Sequence, residues 1–412
     1  MRKILLVSNE AARTGAPAIL LGIMQWLKAH TNVETISVLM RDGAMRAEFE
    51  RIGRTYTWIP IDLNQPERIY KRVATMVLQR GQADPGTWLA KIIQEEQPDI
   101  IYLSTLVLGK YLVHVPKISQ RRVVTHVHEL LPSLRQLSSD QQVSRQLALS
   151  DSVIACAPCV AQTLTEIFQL PPSKCTIIPE YISPGASGND TSQPPSPIAP
   201  SGEESTSLTR IHQALDRGIP IFGVGGNPIH RKGFDLFPLL VKECQKRFAG
   251  TPFLAVWIGC GEGSQAGIAM EWDLTQMGLQ ADVALIPSVS IPTFRWIVSQ
   301  FRVLTLLSRE DPFPLVVLEA GVLGVPTVCF EGSGAIPEMA AEGNCVSVPY
   351  LDLQAYAEAV HRLCVHPEEA RGIAARCRQH VERHLTLDKV APLVVQVLLN
   401  EPSPQGETLP VG

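Results

Sequence analysis

The sequence has no uninterrupted apolar run long enough to cross a membrane. The longest candidate, Phe313 to Phe330, is broken by Glu319, Gly324 and Pro326. The first apolar stretch, Ile4 to Val7, follows Arg2 and Lys3 but stops at Ser8-Asn9-Glu10, too soon for a signal peptide. There is no basic excess. Lys and Arg number 36 against 40 Asp and Glu, a net charge of -4, which removes the electrostatic case for a nucleic-acid partner. Nor is there a disulfide framework. The nine cysteines are scattered and odd in number, which fits a reducing cytoplasm. Cys156-Ala157-Pro158-Cys159 has C-x-x-C spacing, but a second pair is missing, so structural thiols are expected rather than zinc or redox chemistry. No Asp-x-Asp pair occurs, and no metal is expected. A full G-x-G-x-x-G is absent too; Gly259-Cys260-Gly261-Glu262-Gly263 imitates part of it and reads as a turn, with a nucleotide-facing role open.

What is present is alternation. Short apolar runs at Ile4–Val7, Glu34–Val38, Ile100–Leu103, Val123–His126 and Ser152–Ala155 are separated by amphipathic stretches such as Ala18–Ala29 and Ala161–Phe168. From 184 to 205 the composition turns to Pro, Ser, Gly and acid, the signature of a linker or loop. Alternation then restarts at Ile219–Val224, Phe253–Ile258, Val283–Ile286, Val303–Leu306, Thr327–Phe330 and Cys345–Val348. Buried strands alternating with helices predict parallel sheets covered on both faces. The expected fold is α/β, with two Rossmann-like domains and ligand binding in a cleft between them, outside the carboxyl ends of the strands. The expected divisions are 1–183, a linker at 184–205, 206–385, and a C-terminal helical segment at 386–412.

Five strand-to-helix junctions carry polar chemistry. In Ser308-Arg309-Glu310-Asp311-Pro312-Phe313-Pro314-Leu315-Val316-Val317-Leu318-Glu319-Ala320, two acids stand in an apolar run, where carboxylates are costly without partners. A helix starting after Pro314 puts Glu319 in its early turns and Asp311 in the loop before Leu315. Both then face one pocket beside a helix N-terminus, which favours anions. The alternative is capping by Asp311 and a solvated Glu319. Gly223-Val224-Gly225-Gly226 followed by His230-Arg231-Lys232-Gly233 offers backbone donors and cations to a phosphate; solvated basic residues on a turn are the alternative. Gly15 and Ala16 open the first long helix, and Gly334 lies in a glycine turn before Ile336-Pro337-Glu338. In Thr125-His126-Val127-His128-Glu129-Leu130, strand alternation puts His126 and His128 on one face. A metal pair is conceivable there, but a polar active-site edge or simple capping fits better, with no further Cys or His adjacent.

Taken in order, Gly-Ala-Pro, His-Val-His-Glu-Leu, Arg-Lys-Gly, the Ser308–Ala320 segment and Gly-x-Gly-x-x-Pro-Glu resemble the retaining glycosyltransferases of family 4. The resemblance covers nearly the whole chain and is strongest from Gly223 to Glu338. It implies a GT-B fold, a nucleotide-diphosphate sugar as donor substrate held mainly by the second domain, an acceptor held by the first, and no cofactor or essential metal. It also implies a C-terminal helix, at Val390–Leu399, crossing back to the first domain. Residue by residue, it assigns Glu319 to the donor ribose, Asp311 to the donor sugar hydroxyls, and Lys232 to the diphosphate. His128 or His126 lies near the transferred sugar. Asp311 stands where the family usually has Glu, and Asn227 where it often has Arg, with Arg231 as a substitute cation. Gly15, Ala16, Gly225, Gly226, Pro314, Leu315 and Gly334 would line the substrate. Two other readings stay open: a nucleotide-sugar-binding protein without turnover, and a nucleotide-sugar epimerase of the same fold. The acceptor is a glycan, lipid or small molecule, and membrane contact is peripheral at most. Lys117, Arg121 and Arg122 are the basic cluster such contact would use.

Overall fold

The structure is a computed structural model that describes residues 2–58, 84–115, 121–182, 204–261 and 263–400. The expected linker at 184–205 lies outside the described residues, except for 204 and 205, which open the helix Glu204–Asp216. The chain divides into two compact units, Met1–Ser183 with Leu387–Val411, and Pro184–Thr386.

The first unit holds seven strands: β1 (Lys3–Ser8), β2 (Glu34–Leu39), β3 (Arg54–Thr57), β4 (Ile100–Leu103), β5 (Arg122–Val127), β6 (Ser152–Ala155) and β7 (Cys175–Ile177). They pair in the order β3-β2-β1-β4-β5-β6-β7, all parallel. The interior strands are apolar on both faces, as a parallel sheet with covered faces demands. Leu5, Val7, Ile36, Val38, Ile101 and Leu103 pack in one cluster with Trp88, Leu89 and Ile92 of the helix Pro85–Glu96. Each such side chain contributes about 1.5–3 kcal/mol by burial.

The second unit holds six strands: β8 (Ile221–Gly225), β9 (Leu254–Ile258), β10 (Val283–Ile286), β11 (Val303–Leu306), β12 (Thr327–Phe330) and β13 (Val346–Val348). Their order is β10-β9-β8-β11-β12-β13, again all parallel. Phe222, Val224, Ala255 and Trp257 pack against Phe237, Leu240 and Val241 of the helix Phe237–Phe248, and Tyr356 and Val360 of the helix Leu353–Val365 join the same core.

Both sheets run outward in opposite directions from a central pair, β1/β4 in one and β8/β11 in the other. Loops leaving the carboxyl ends of such a pair diverge and leave a crevice between them, the place where ligands bind in doubly wound sheets. The segments after β8 and β11 therefore define where chemistry is to be sought in the second unit. In the first unit, they are the segments after β1, β4 and the adjoining β5.

The helix Leu387–Leu399 packs on the helix Gly15–His30 and on β6. Its C-terminal carbonyls have no partner within the helix. Arg122 supplies one, donating from Nη2 to Val397 O at 2.7 Å and from Nε to Leu398 O at 3.1 Å. Arg2 adds a bond to Leu399 O at 3.3 Å. This use of Arg122 takes it out of the basic cluster that a membrane surface would meet; Arg121 bonds Gln97, and Lys117 lies outside the described residues. Among the described residues, no helix is long and apolar enough to cross a membrane.

Candidate functional site

In the second unit, the segment after β8 is Gly226-Asn227-Pro228-Ile229, then a short 3-10 turn His230–Lys232. Gly226 is pinned by bonds to Ile258 O (2.9 Å) and from the Trp257 indole (3.0 Å). The long helix does not follow Gly233 directly. A second 3-10 turn, Phe234–Leu236, intervenes, and the α-helix begins at Phe237. The N–H groups of Lys232, Gly233, Phe234 and Leu236 are spent on nearby carbonyls. The glycine loop thus offers a ligand its side chains, Arg231 and Lys232, more than the backbone donors that the sequence suggested.

The segment after β11 meets this loop. Arg309 N donates to Arg231 O at 2.8 Å. Arg309 also reaches His230 O at 2.7 Å and forms a two-pronged pair with Asp235, both contacts at 2.7 Å. Gly233 has φ 72, and a Cβ there would sit 2.1 Å from Leu307 O, so only glycine lets the two loops approach this closely. At their junction, Asp311 pairs through Oδ2 with Lys232 Nζ. Ser308 Oγ donates to the same carboxylate at 3.3 Å, and Arg231 Nη1 lies 3.9 Å from its other oxygen while donating to Glu310 O at 3.0 Å. Asp311 therefore does not cap the helix that follows. That helix, Leu315–Val322, starts after Pro314 as expected, and no side chain caps it.

Gly334 completes this layer. Asp311 N donates to Ser333 O at 2.6 Å, and Ala335 N donates to Pro312 O at 3.2 Å. A Cβ on Gly334, at φ 144, would lie 1.7 Å from Asp311 O. The helix after it, Ile336–Ala341, is only six residues long. Arg231, Lys232, Asp311 and Gly334 are thus drawn into one small region at the reversal of the second sheet. Gly225 ends β8 and abuts Phe294, where an added Cβ would stand 2.5 Å from the ring. Glu319 is half-buried in the helix Leu315–Val322. Burial pushes its carboxyl up to about 7, and the charge of Arg295 pulls the other way. Neither Arg295 nor Phe294 stood out in the sequence, because the helix Ile291–Ser299 reads as an ordinary amphipathic element.

In the first unit, Gly15 and Ala16 form the first turn of the helix Gly15–His30, whose N-cap Thr14 makes no side-chain cap bond. His126 and His128 do share a face of β5 and its extension, with ring centroids 4.1 Å apart. Their surroundings differ. His126 is 1% exposed, and its Nδ1 lies 2.6 Å from the Tyr102 hydroxyl. Burial and the charge of His128 hold His126 well below the ordinary imidazole value. His128 Nδ1 bonds a carboxylate oxygen of Glu180. Burial pulls His128 down, but the charge and hydrogen bond of Glu180, with the charge of Glu129, bring it above its ordinary value. Thr105 bonds Glu129 in turn, and Glu129 accepts from His128 N at 3.1 Å.

Glu180, Tyr102 and Thr105 were missed in the sequence. Glu180 had one signal, a carboxylate inside the apolar run Ile177-Ile178-Pro179-Glu180-Tyr181-Ile182. Among the described residues, His126, His128 and Glu180 are the one group of three that could hold a metal ion, with ligand atoms within 4.8 Å of one another. In this structure, one carboxylate oxygen of Glu180 bonds His128 Nδ1, while its other oxygen and His128 Nε2 find no partner among the described residues.

Known proteins carry the same architecture. Residues 36–184 match the family model for Glycosyltransferase Family 4, and residues 220–366 the model for Glycosyl transferases group 1. No curated protein matches the chain in sequence. Among solved structures, Anabaena Alr3699/HepE in complex with UDP-glucose is 17% identical with a TM-score of 0.73, covering 97% of this chain and 100% of that one. A glycosyltransferase from Rickettsia africae is 14% identical with a TM-score of 0.69, covering 97% and 99%. Sucrose-phosphate synthase from Thermosynechococcus elongatus is 16% identical with a TM-score of 0.67, also covering 97% and 99%. Matched in both halves by glycosyltransferase models and built on two parallel Rossmann-like sheets, the chain belongs to the family 4 glycosyltransferases of the GT-B fold.

Proposed function

We propose that the chain is a retaining hexosyltransferase. It moves a sugar from a nucleotide-diphosphate donor to a hydroxyl of a glycan, lipid or small molecule, without a metal. The observation that carries this is the meeting of Lys232, Arg231 and Asp311 where the strand order of the second sheet reverses. Breaking a sugar C1–O bond places negative charge on the departing diphosphate and positive charge on the sugar ring. Lys232 and Arg231 supply charge for the first. Such preorganised groups stabilise developing charge without reorganising. The first turn of the helix Leu315–Val322 adds a favourable dipole. Asp311 releases Lys232 to the diphosphate and turns to the donor sugar hydroxyls. Glu319 accepts from the ribose hydroxyls in its ionised form. Gly225, Gly226, Pro314, Leu315 and Gly334 line the donor in this reading, and Gly226 alone among the three glycines would meet nothing with an added Cβ. Gly15, Ala16, His126 and His128 serve the sugar and acceptor side. No protein nucleophile is assigned; the leaving diphosphate takes the acceptor proton, and attack on the same face retains configuration.

Because Alr3699/HepE has been seen with UDP, with UDP-glucose, and with UDP and glucose, UDP-glucose is the first donor to test. Nucleotide release from labelled UDP- and GDP-sugars is the assay, and an α-configured product from an α-configured donor is the expected outcome. Donor binding without release would favour the binding-protein reading, and a free epimerised sugar the epimerase. A cytoplasmic setting with peripheral membrane contact at most is part of the proposal. Sedimentation with anionic liposomes at low and high salt tests it; binding that persists in high salt would contradict it.

A further inference from the structure

We infer that Glu180 is a positioning residue for the transfer reaction: its carboxylate holds the His128 imidazole by Nδ1, so that Nε2 is the atom presented to substrate. What His128 meets, a sugar hydroxyl, rests on the function proposed above.

Glu180 is not free to move. It follows β7, and Ile178, two residues before it, donates from its backbone N to Ala155 O at 3.0 Å, which ties the segment to the end of β6. Tyr181 just after it is fully buried and bonds Ile19 O. Between these anchors, the Glu180 side chain is 5% exposed. A carboxylate so buried is costly without a partner; its Oε1 has His128 Nδ1, and its Oε2 finds none among the described residues. An ionised carboxylate only accepts, so the proton of the shared bond sits on Nδ1. Nε2 is then a lone pair when the ring is neutral and an N–H when it is charged. Either form addresses a hydroxyl group, which both donates and accepts.

The opposite side of the two rings carries the second observation. The Nε2 atoms of His126 and His128 are buried and find no partner among the described residues. Buried polar atoms are nearly always paired, so two unpaired imidazole nitrogens on neighbouring rings mark a place suited to a polar partner. Each ring is oriented through Nδ1, by Tyr102 in one case and Glu180 in the other, and each is left with Nε2 to spend. The groups facing His128 are Glu180, Glu129 and His126.

The test uses Glu180→Gln, which keeps size but loses charge, and Glu180→Asp, which keeps charge but shortens the reach. Imidazole nitrogen NMR of the full chain reads the His128 tautomer and titration directly. Nucleotide release against pH reads its use. In Glu180→Gln, His128 should titrate at lower pH and lose its single tautomer, and kcat should fall roughly tenfold or more with a smaller change in KM. Glu180→Asp should restore part of both. If Glu180→Gln folds and leaves the tautomer and titration unchanged, or leaves the pH profile and kcat unchanged, the inference is overturned. If Glu180→Gln does not fold, Glu180→Asp carries the same two readouts. A wild-type chain that releases nucleotide from no sugar donor would sink the transfer reading, while NMR would still decide whether Glu180 holds His128.

Discussion

The Lys232–Asp311 pair permits a test that separates support of the fold from support of the reaction. Asp311 is 6% exposed, and its strongest partner is Lys232. Replacing Lys232 by Met leaves that carboxylate with the Ser308 hydroxyl at 3.3 Å and Arg231 at 3.9 Å. Breaking a fully buried pair costs about 3–5 kcal/mol. The Lys232 side chain is 21% exposed, and Arg231 remains, so about 1–3 kcal/mol is expected here. The double change Lys232→Met with Asp311→Asn removes the stranded charge and should recover most of that loss in urea unfolding. Turnover should behave differently. Losing one positioned donor to a developing charge costs about 100- to 1000-fold in kcat, and the double variant should stay that slow. Asp311→Asn alone frees Lys232 and should tighten binding of the nucleoside diphosphate. If the double variant recovers turnover along with stability, Lys232 is only a counter-ion and the assignment fails. If Lys232→Met alone costs no stability, the pair does not hold in solution.

For Glu319, whose carboxyl is raised to about 7, the sign is that of a buried acid: its contribution is intact below the ordinary carboxylate range and is lost as pH rises to about 7. Glu319→Gln should therefore gain roughly 1–2 kcal/mol over the wild type at pH 8 and little at pH 4.5, measured by urea unfolding, and should bind donor more weakly. Nucleotide release should survive EDTA; loss of activity restored by a divalent ion would move the charge-stabilising role away from Lys232 and toward the His126, His128 and Glu180 set. Arg122→Ala should unfold at urea concentrations corresponding to a loss of about 1–2 kcal/mol, because the carbonyls of Val397 and Leu398 lose their donors; a change within 0.3 kcal/mol or so would mean water replaces the guanidinium without cost.

The two sheets were legible because burial on both faces writes itself into composition. Ile100-Ile101-Tyr102-Leu103 and Val303-Leu304-Thr305-Leu306 announce interior strands, and all six strands of the second sheet lie where the apolar runs put them. Two strands of the first sheet were not foreseen, β3 and β7, and both stand at its edges. Arg54-Thr55-Tyr56-Thr57 is half-buried or exposed along its length, and Cys175-Thr176-Ile177 is three residues of which two are exposed. An edge strand buries too little to leave an apolar signature. The site divides along the same line. Lys232, Asp311 and Gly334 could be picked out singly, since each breaks a local rule: a cation after glycines, an acid in an apolar run, a glycine turn before a helix. Their joint geometry could not, because Lys232 and Asp311 are 79 residues apart and meet only because β8 and β11 are neighbours. That adjacency follows from the reversal of strand order, which no local pattern encodes. Glu180 shows the limit most sharply. It is 52 residues from His128, follows a strand too short to detect, and becomes interpretable only when β5, β6 and β7 are set side by side. Local chemistry thus marks the residues that cannot be bland, and topology decides which of them act together.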